Sequence, residues 1–203
     1  MSGRPYQVNL ARAALLLILL VAGCLRLYGQ DWDEGHYLHP DERFIASVSS
    51  DRIQFPPRGE LDSLFDPAKS PINPRRDDPD GNPMSFAYGT LPLYVQGVVS
   101  WALDPLFDAN LGDYGELYRV GRTLTALLDL VTVLLVYLLG RRLFGEGAGL
   151  IGAALYAFAV LPIQLSHFFT VDPWLTAFVT AALFLSIRYI DRRTAGSAAL
   201  LGV

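Results

Sequence analysis

The chain has 203 residues, 52% of them hydrophobic, with a formal net charge of −4 and one cysteine. A single cysteine excludes an intrachain disulfide framework, and nucleic acid is not among the expected partners. The apolar total alone does not separate a soluble domain from a membrane protein. Its distribution does.

Long apolar runs occupy residues 13–25, 123–139, 148–166 and 174–187, whereas residues 29–118 are polar and proline-rich. About 20 mostly apolar residues cross a hydrocarbon core, and the last three runs reach that length with their flanks. The first reaches it over Val8 to Tyr28 if Arg12 and Arg26 snorkel to the two interfaces. A cleaved signal peptide is the alternative for this run, but no small-x-small pattern follows the apolar stretch. Cys24, inside the run, is expected to be a small buried apolar residue.

The predicted fold class is all-α: a multi-pass transmembrane helical bundle whose long extracytoplasmic first loop carries short interfacial helices. Residues 1–28 form a short cytoplasmic N-terminus and the first span, and 29–118 the acidic loop, with an interfacial helix near 88–103. Residues 119–203 hold spans two to four and the start of a fifth that the chain cuts short, so the chain is expected to be a fragment.

Charge assigns the sides. Residues 29–118 hold sixteen of the twenty acidic residues but only six of the sixteen basic ones. The short connections at Arg141-Arg142 and at Arg188, Arg192 and Arg193 are basic, as are Arg4 and Arg12. The positive-inside rule places these on the cytoplasmic face, and counting four spans agrees. The acidic loop and the turn from His167 to Pro173 then share the outer side. Arg119 and Arg122 stand apart from the pattern, three residues apart at the outer end of the second span. They are read either as snorkelling residues or as an anion clamp at a helix N-terminus.

Within the loop, Asp31 to Ser50 opens with acids and histidines and continues into a helix-like run. The stretch 55–83 holds more than half of the prolines and reads as turns and extended chain. Tyr88 to Leu103 reads as an amphipathic helix on the membrane surface, with Pro92 near its start.

Two constellations carry candidate chemistry. Asp31-Trp-Asp-Glu-Gly-His-Tyr-Leu-His-Pro-Asp-Glu42 gathers five carboxylates and two histidines directly after the first span. Such a set can supply a general base, bind a divalent metal, or simply be solvated, with Asp41 capping a helix that begins at Glu42. Ser166-His-Phe-Phe-Thr-Val-Asp172-Pro-Trp is the second, with Asp172 opening the fourth span either as an N-cap or as a functional acid. Asp129 lies deeper, in the second span, where it pairs with another helix or lines a cavity. Tyr137 and Tyr156 are read as packing.

These residues resemble a family: the polytopic glycosyltransferases of the C-type fold that use lipid-linked sugars, among them protein O-mannosyltransferases and the aminoarabinose transferase of lipid A. Three stretches carry the resemblance. His-Pro-Asp41-Glu42-Arg-Phe-Ile-Ala is similar to the family's Asp-Glu motif in the first outer loop. Arg122-Thr-Leu-Thr-Ala-Leu-Leu-Asp-Leu through Gly-Arg-Arg-Leu-Phe-Gly is similar to its second span and cytoplasmic turn. Leu-Pro-Ile-Gln-Leu-Ser-His-Phe-Phe-Thr-Val-Asp172 is similar to its third span and Asp-bearing turn. Asp33-Glu34 is a competing Asp-Glu pair eight residues earlier.

The resemblance implies sugar transfer from a polyprenyl-phosphate donor to an extracytoplasmic protein, lipid or glycan acceptor, with inversion, at the plasma membrane. Asp41 would be the catalytic base, with Glu42 and Asp172 orienting acceptor or base. Arg119 and Arg122 would hold the leaving lipid phosphate, and His39 and His167 would join substrate binding. Asp33 and Glu34 are the alternative catalytic pair. No cofactor is firmly implied, although a divalent metal remains compatible. A transporter using intramembrane acids and a non-catalytic envelope assembly protein are the other classes.

Overall fold

The computed structural model describes residues 5–53, 55–56, 61–65, 70–74 and 86–202. Every regular element among these residues is helical, in the order α1 (Pro5–Leu27), α2 (Pro40–Arg52), α3 (Leu91–Phe107), α4 (Leu117–Phe144), α5 (Glu146–Ala157), α6 (Val160–Leu165), α7 (Asp172–Arg192) and α8 (Ala195–Leu201). Three helices are long and apolar enough to cross a membrane: Leu10–Leu27, Leu117–Phe144 and Asp172–Asp191. The all-α class is therefore the one the apolar runs predict.

The chain divides into two compact units. The first comprises Met1–Tyr28, Thr125–His167 and Asp172–Val203. Its core gathers Ala22 of α1, Val133 and Tyr137 of α4, and Ala153 and Ala157 of α5, all buried, inside a shell that includes Leu15, Leu19, Leu130 and Leu134. Small residues set the spacing of α4 and α5: a Cβ on Gly149 would stand 2.7 Å from the Tyr137 carbonyl oxygen. Backbones approach this closely only where side chains are absent. Large apolar side chains such as Leu10, Leu16, Leu20, Leu155 and Leu183 point outward, the pattern expected where the solvent is lipid.

The third apolar run is not one helix. The 12-residue α5 ends at Ala157 and the six-residue α6 begins at Val160. Pro162 accounts for the break: its ring would clash with the carbonyl four residues earlier, at Phe158, were the helix continuous. At 1.5 Å per residue α5 alone covers only about 18 Å. The segment nevertheless traverses the unit. Arg142, at the end of α4, is bound by two bonds of 2.7 and 2.5 Å to Asp191, at the end of α7. The C-terminal ends of α4 and α7 thus lie together, and the chain between them must return along the length of α7. Two further sequence expectations are corrected in this unit. Cys24 is exposed rather than buried, because it lies on the outward face of α1 with Leu20 and Leu27. Arg26 does not snorkel; it is fully buried beside an acid.

The second unit comprises Gly29–Leu124 and Phe168–Val171, so it takes in the first turns of α4 as well as the acidic loop. Helix α2 starts two residues earlier than a cap at Asp41 would place it. His39, extended at φ −78 and ψ 125, is the N-cap, and Pro40 opens the helix. Proline suits that position because its φ is preset and its missing N–H has no partner to lose. Asp41 and Glu42 then fall in the first turn, where the helix dipole favours negative charge. The stretch 55–83 lies partly outside the described residues, and within it Leu61–Phe65 forms a short 3-10 helix. Helix α3 buries Leu93, Gln96, Gly97 and Ser100 along one face, while Leu91, Val98 and Leu106 are exposed. Its outward face is thus the more apolar one.

Candidate functional site

The acidic loop folds into successive tight turns before α2. Trp32 N–H donates to the Gly29 carbonyl, Glu34 N–H to Asp31, and His36 N–H to Asp33, at 3.0–3.1 Å. Glu34 and Gly35 both take positive φ, 52° and 74°. Gly35 is required there twice over, since a Cβ would also meet the Tyr118 ring at 3.0 Å. The coil aims the Asp33 carboxylate inward. Its Oδ1 accepts from Gly35 N–H and its Oδ2 from Leu38 N–H, each at 3.2 Å.

Tyr37 anchors this coil to α4. Its side chain is fully buried, and its hydroxyl donates to the Tyr114 carbonyl at 2.5 Å while accepting from Tyr118 N–H at 3.1 Å. A hydroxyl distant in sequence thereby satisfies one of the N–H groups that a helix start leaves unpaired. Burial pushes the Tyr37 phenol well above its ordinary value, so it remains a donor.

Arg122 is the centre of the site. It is fully buried, and each of its five N–H donors has an acceptor. Nε binds Glu42 Oε1 at 2.8 Å. One terminal nitrogen binds the Gln30 carbonyl at 2.6 Å and Asp33 Oδ1 at 2.8 Å. The other binds Asp33 Oδ2 at 2.9 Å and Glu42 Oε2 at 2.8 Å. Both carboxylates are therefore held bidentately, the geometry guanidinium favours. Glu42 Oε1 also accepts from Phe169 N–H at 2.8 Å, which fixes the segment 168–171 to α2. Phe169 lies flush against Gly121, where a Cβ would stand 2.5 Å from its ring. Desolvation acts to raise the Asp33 pKa, but the Arg122 hydrogen bonds and charge and the two backbone N–H groups outweigh it. The carboxyl sits below its ordinary value.

Asp41, adjacent to Glu42, is treated differently. It is half-buried in the first turn of α2 and has no hydrogen bond or ion pair to any described residue. His39 packs its ring on Phe168 with centroids 4.5 Å apart, and its Nδ1 is buried without a hydrogen-bond partner among the described residues. Glu34 is exposed. Arg119 is exposed and paired with Glu116 at 2.7 Å, so it does not share a face of the site with buried Arg122.

The remaining sequence candidates lie in the first unit. Asp172 is the first residue of α7, exposed, with no side-chain partner among the described residues. His167 has both ring nitrogens on backbone carbonyls, Nδ1 at 2.7 Å from Ile163 and Nε2 at 2.9 Å from Tyr28.

A second buried polar cluster in this unit involves residues read from sequence as interfacial or packing. Arg26 Nε meets Asp129 Oδ2 at 2.6 Å, and the Tyr156 hydroxyl donates to Asp129 Oδ1 at 2.6 Å. Arg26 also donates to the Ala157 carbonyl at 2.9 Å, occupying an acceptor that the end of α5 leaves open. The spacing of an arginine at one end of a run and an acid inside the next was the available signal. Among the described residues no three His, Cys, Asp or Glu side chains are grouped to hold a metal ion.

Residues 114–203 match the family model described as dolichyl-phosphate-mannose-protein mannosyltransferase. The match, a little under half of the chain, agrees with the resemblance read from the residue order: this segment is similar to that of a C-type glycosyltransferase. It spans α4 to α8 and contains Arg119, Arg122, His167 and Asp172, while Asp33, Asp41 and Glu42 precede it. The mannosyltransferase pattern and the three apolar helices together make this a membrane protein. No curated protein and no solved structure matches the chain.

Proposed function

We propose that the protein transfers a mannosyl residue from a polyprenyl-phosphate carrier to a protein hydroxyl on the extracytoplasmic side of the plasma membrane, with Asp41 as the general base. The donor and acceptor classes are those of the matched mannosyltransferase family. The observation that favours Asp41 is the division of labour around Arg122. Asp33 and Glu42 are saturated by the guanidinium and by backbone N–H groups, whereas the Asp41 carboxylate has no partner among the described residues. A base needs a free lone pair within reach of the acceptor proton.

In the reaction, the acceptor oxygen attacks the anomeric carbon as its proton passes to Asp41. The bond from that carbon to the phosphate oxygen breaks, and polyprenyl phosphate leaves with the electron pair. Displacement by a single attack inverts the anomeric centre. Arg122, with its donors engaged, serves to fix Glu42 and Asp33 and through them the turn that presents Asp41. Exposed Arg119, at the N-terminal end of α4, is the cation we assign to the leaving phosphate, where positive charge and helix dipole act together. Asp172 is assigned to acceptor orientation. His39, whose Nδ1 has no partner among the described residues, is assigned to sugar or acceptor hydroxyls. His167, both of whose nitrogens face carbonyls, is assigned to holding the turn rather than to substrate.

A transporter reading would make Asp129 an ion-carrying group beside an interrupted helix. Its pairing with Arg26 and Tyr156 weighs against that, since both carboxylate oxygens are engaged. The test is transfer of labelled mannose from polyprenyl-phosphate mannose in membranes. Loss of transfer in Asp41→Asn at matched expression supports the assignment, and full transfer by that variant overturns it.

A further inference from the structure

A cavity in the first unit lies where the arginine-bearing ends of α4 and α7 meet. It has a volume of about 470 Å3, within the range of small-molecule sites. Leu138, Phe184 and Ile187 form its apolar wall, and Arg141, Arg142, Arg188 and Asp191 its charged part.

The charges are unequal, three arginines to one acid. Arg142 is committed to Asp191 by two hydrogen bonds. Arg141 lies over the Tyr137 ring at 5.3 Å and contacts the Tyr137 hydroxyl at 3.5 Å. That hydroxyl is itself bonded to Glu146, so the Arg141 fork is only loosely held. Arg188 is half-buried, and its Nε is buried with no hydrogen-bond partner among the described residues. A donor on a permanently charged guanidinium that is out of water and unmet is costly without an acceptor. The end-of-helix position explains Arg141 and Arg142 through the dipole, but it supplies nothing to Arg188 Nε.

We infer that this groove binds the phosphate headgroup of an anionic phospholipid, with Arg188 and Arg141 as its donors and the Leu138, Phe184 and Ile187 wall receiving the start of an acyl chain. An apolar wall beside a basic rim between membrane-crossing helices matches an amphiphile with an anionic head better than a free anion. Asp191 holds Arg142 in place and limits the net positive charge, so it tunes the site rather than contributing to binding. The site is independent of the sugar-transfer reading, because none of its residues belongs to that chemistry.

The experiment is native mass spectrometry of the detergent-solubilised chain titrated with phosphatidylglycerol, with phosphatidylcholine and inorganic phosphate as separate arms. The expected result is retained phosphatidylglycerol adducts, at least tenfold above phosphatidylcholine, with no phosphate adduct. Arg188→Gln should lower phosphatidylglycerol occupancy several-fold and Asp191→Asn should raise it, a gain that misfolding does not produce. Arg12→Gln, which alters an arginine outside the groove, should leave occupancy unchanged. Equal retention of both lipids, unaltered occupancy in Arg188→Gln, or an equal loss in Arg12→Gln would overturn the site. Phosphate adducts alone would overturn its assignment to lipid.

Discussion

Arg122 and Glu42, 80 positions apart in the chain, face each other through two N–H···O bonds of 2.8 Å with both side chains fully buried. Asp33 closes the other edge of the same guanidinium. One cation therefore organises two acids, while Asp41, next to Glu42 in the chain, has no partner among the described residues.

Removing the cation should unfold the site rather than merely slow it. Arg122→Met leaves two buried carboxylates facing each other, and breaking a buried pair costs about 3–5 kcal/mol. Arg122→Lys keeps the charge but cannot fork to both acids. Thermal unfolding of purified variants should show a large loss for Met and a substantial one for Lys, against almost none for Asp41→Asn. A methionine variant as stable as the parent would contradict the structural role.

Asp33 gives the site an acid limb. Its folded-state pKa lies below the ordinary 3.8, so ionised Asp33 adds stability above that value. The contribution is lost as pH falls through the lower, folded-state value. Stability should therefore hold across the neutral range and decline only below about pH 4. Asp33→Asn should be less stable at neutral pH and show a shallower acid decline, measured as midpoint against pH.

The Arg26–Asp129 pair should behave as a buried unit. Asp129→Leu or Arg26→Met alone strands a charge beside apolar helices, at a cost of about 3–5 kcal/mol, whereas the double variant should recover much of it. A double-mutant cycle on unfolding midpoints measures the coupling. Additive single effects would mean the pair is not a unit.

Gly149 should tolerate no enlargement. A Cβ there would stand 2.7 Å from the Tyr137 carbonyl oxygen and 2.8 Å from Arg141 N. Both are backbone atoms that cannot rotate away. Gly149→Val should lower the unfolding midpoint markedly, while Gly147→Ala, with open space at its Cβ, should not.

Much of this was legible in the sequence because it is local. Run lengths mark the apolar helices, and the acids at 41 and 42 place the start of α2 to within two residues. The break at Ala157 was missed because average hydropathy is unaffected by Pro162, whose effect is steric. Arg26 reads as interfacial because snorkelling is the usual outcome near a span end, yet Asp129, 103 positions away, offers a partner that only the folded chain reveals. Arg122 illustrates the same limit: its position at a helix start reads as an anion site, and only the fold shows that the anions are Asp33 and Glu42.

The most direct test of the account is mannose transfer from polyprenyl-phosphate mannose to protein in membranes, comparing the parent with Asp41→Asn and Glu34→Gln. Loss of a general base costs about 10²–10⁴ in rate. The account predicts that Asp41→Asn falls by at least that lower bound with its unfolding midpoint intact, while Glu34→Gln retains transfer. Undiminished transfer by Asp41→Asn would contradict it.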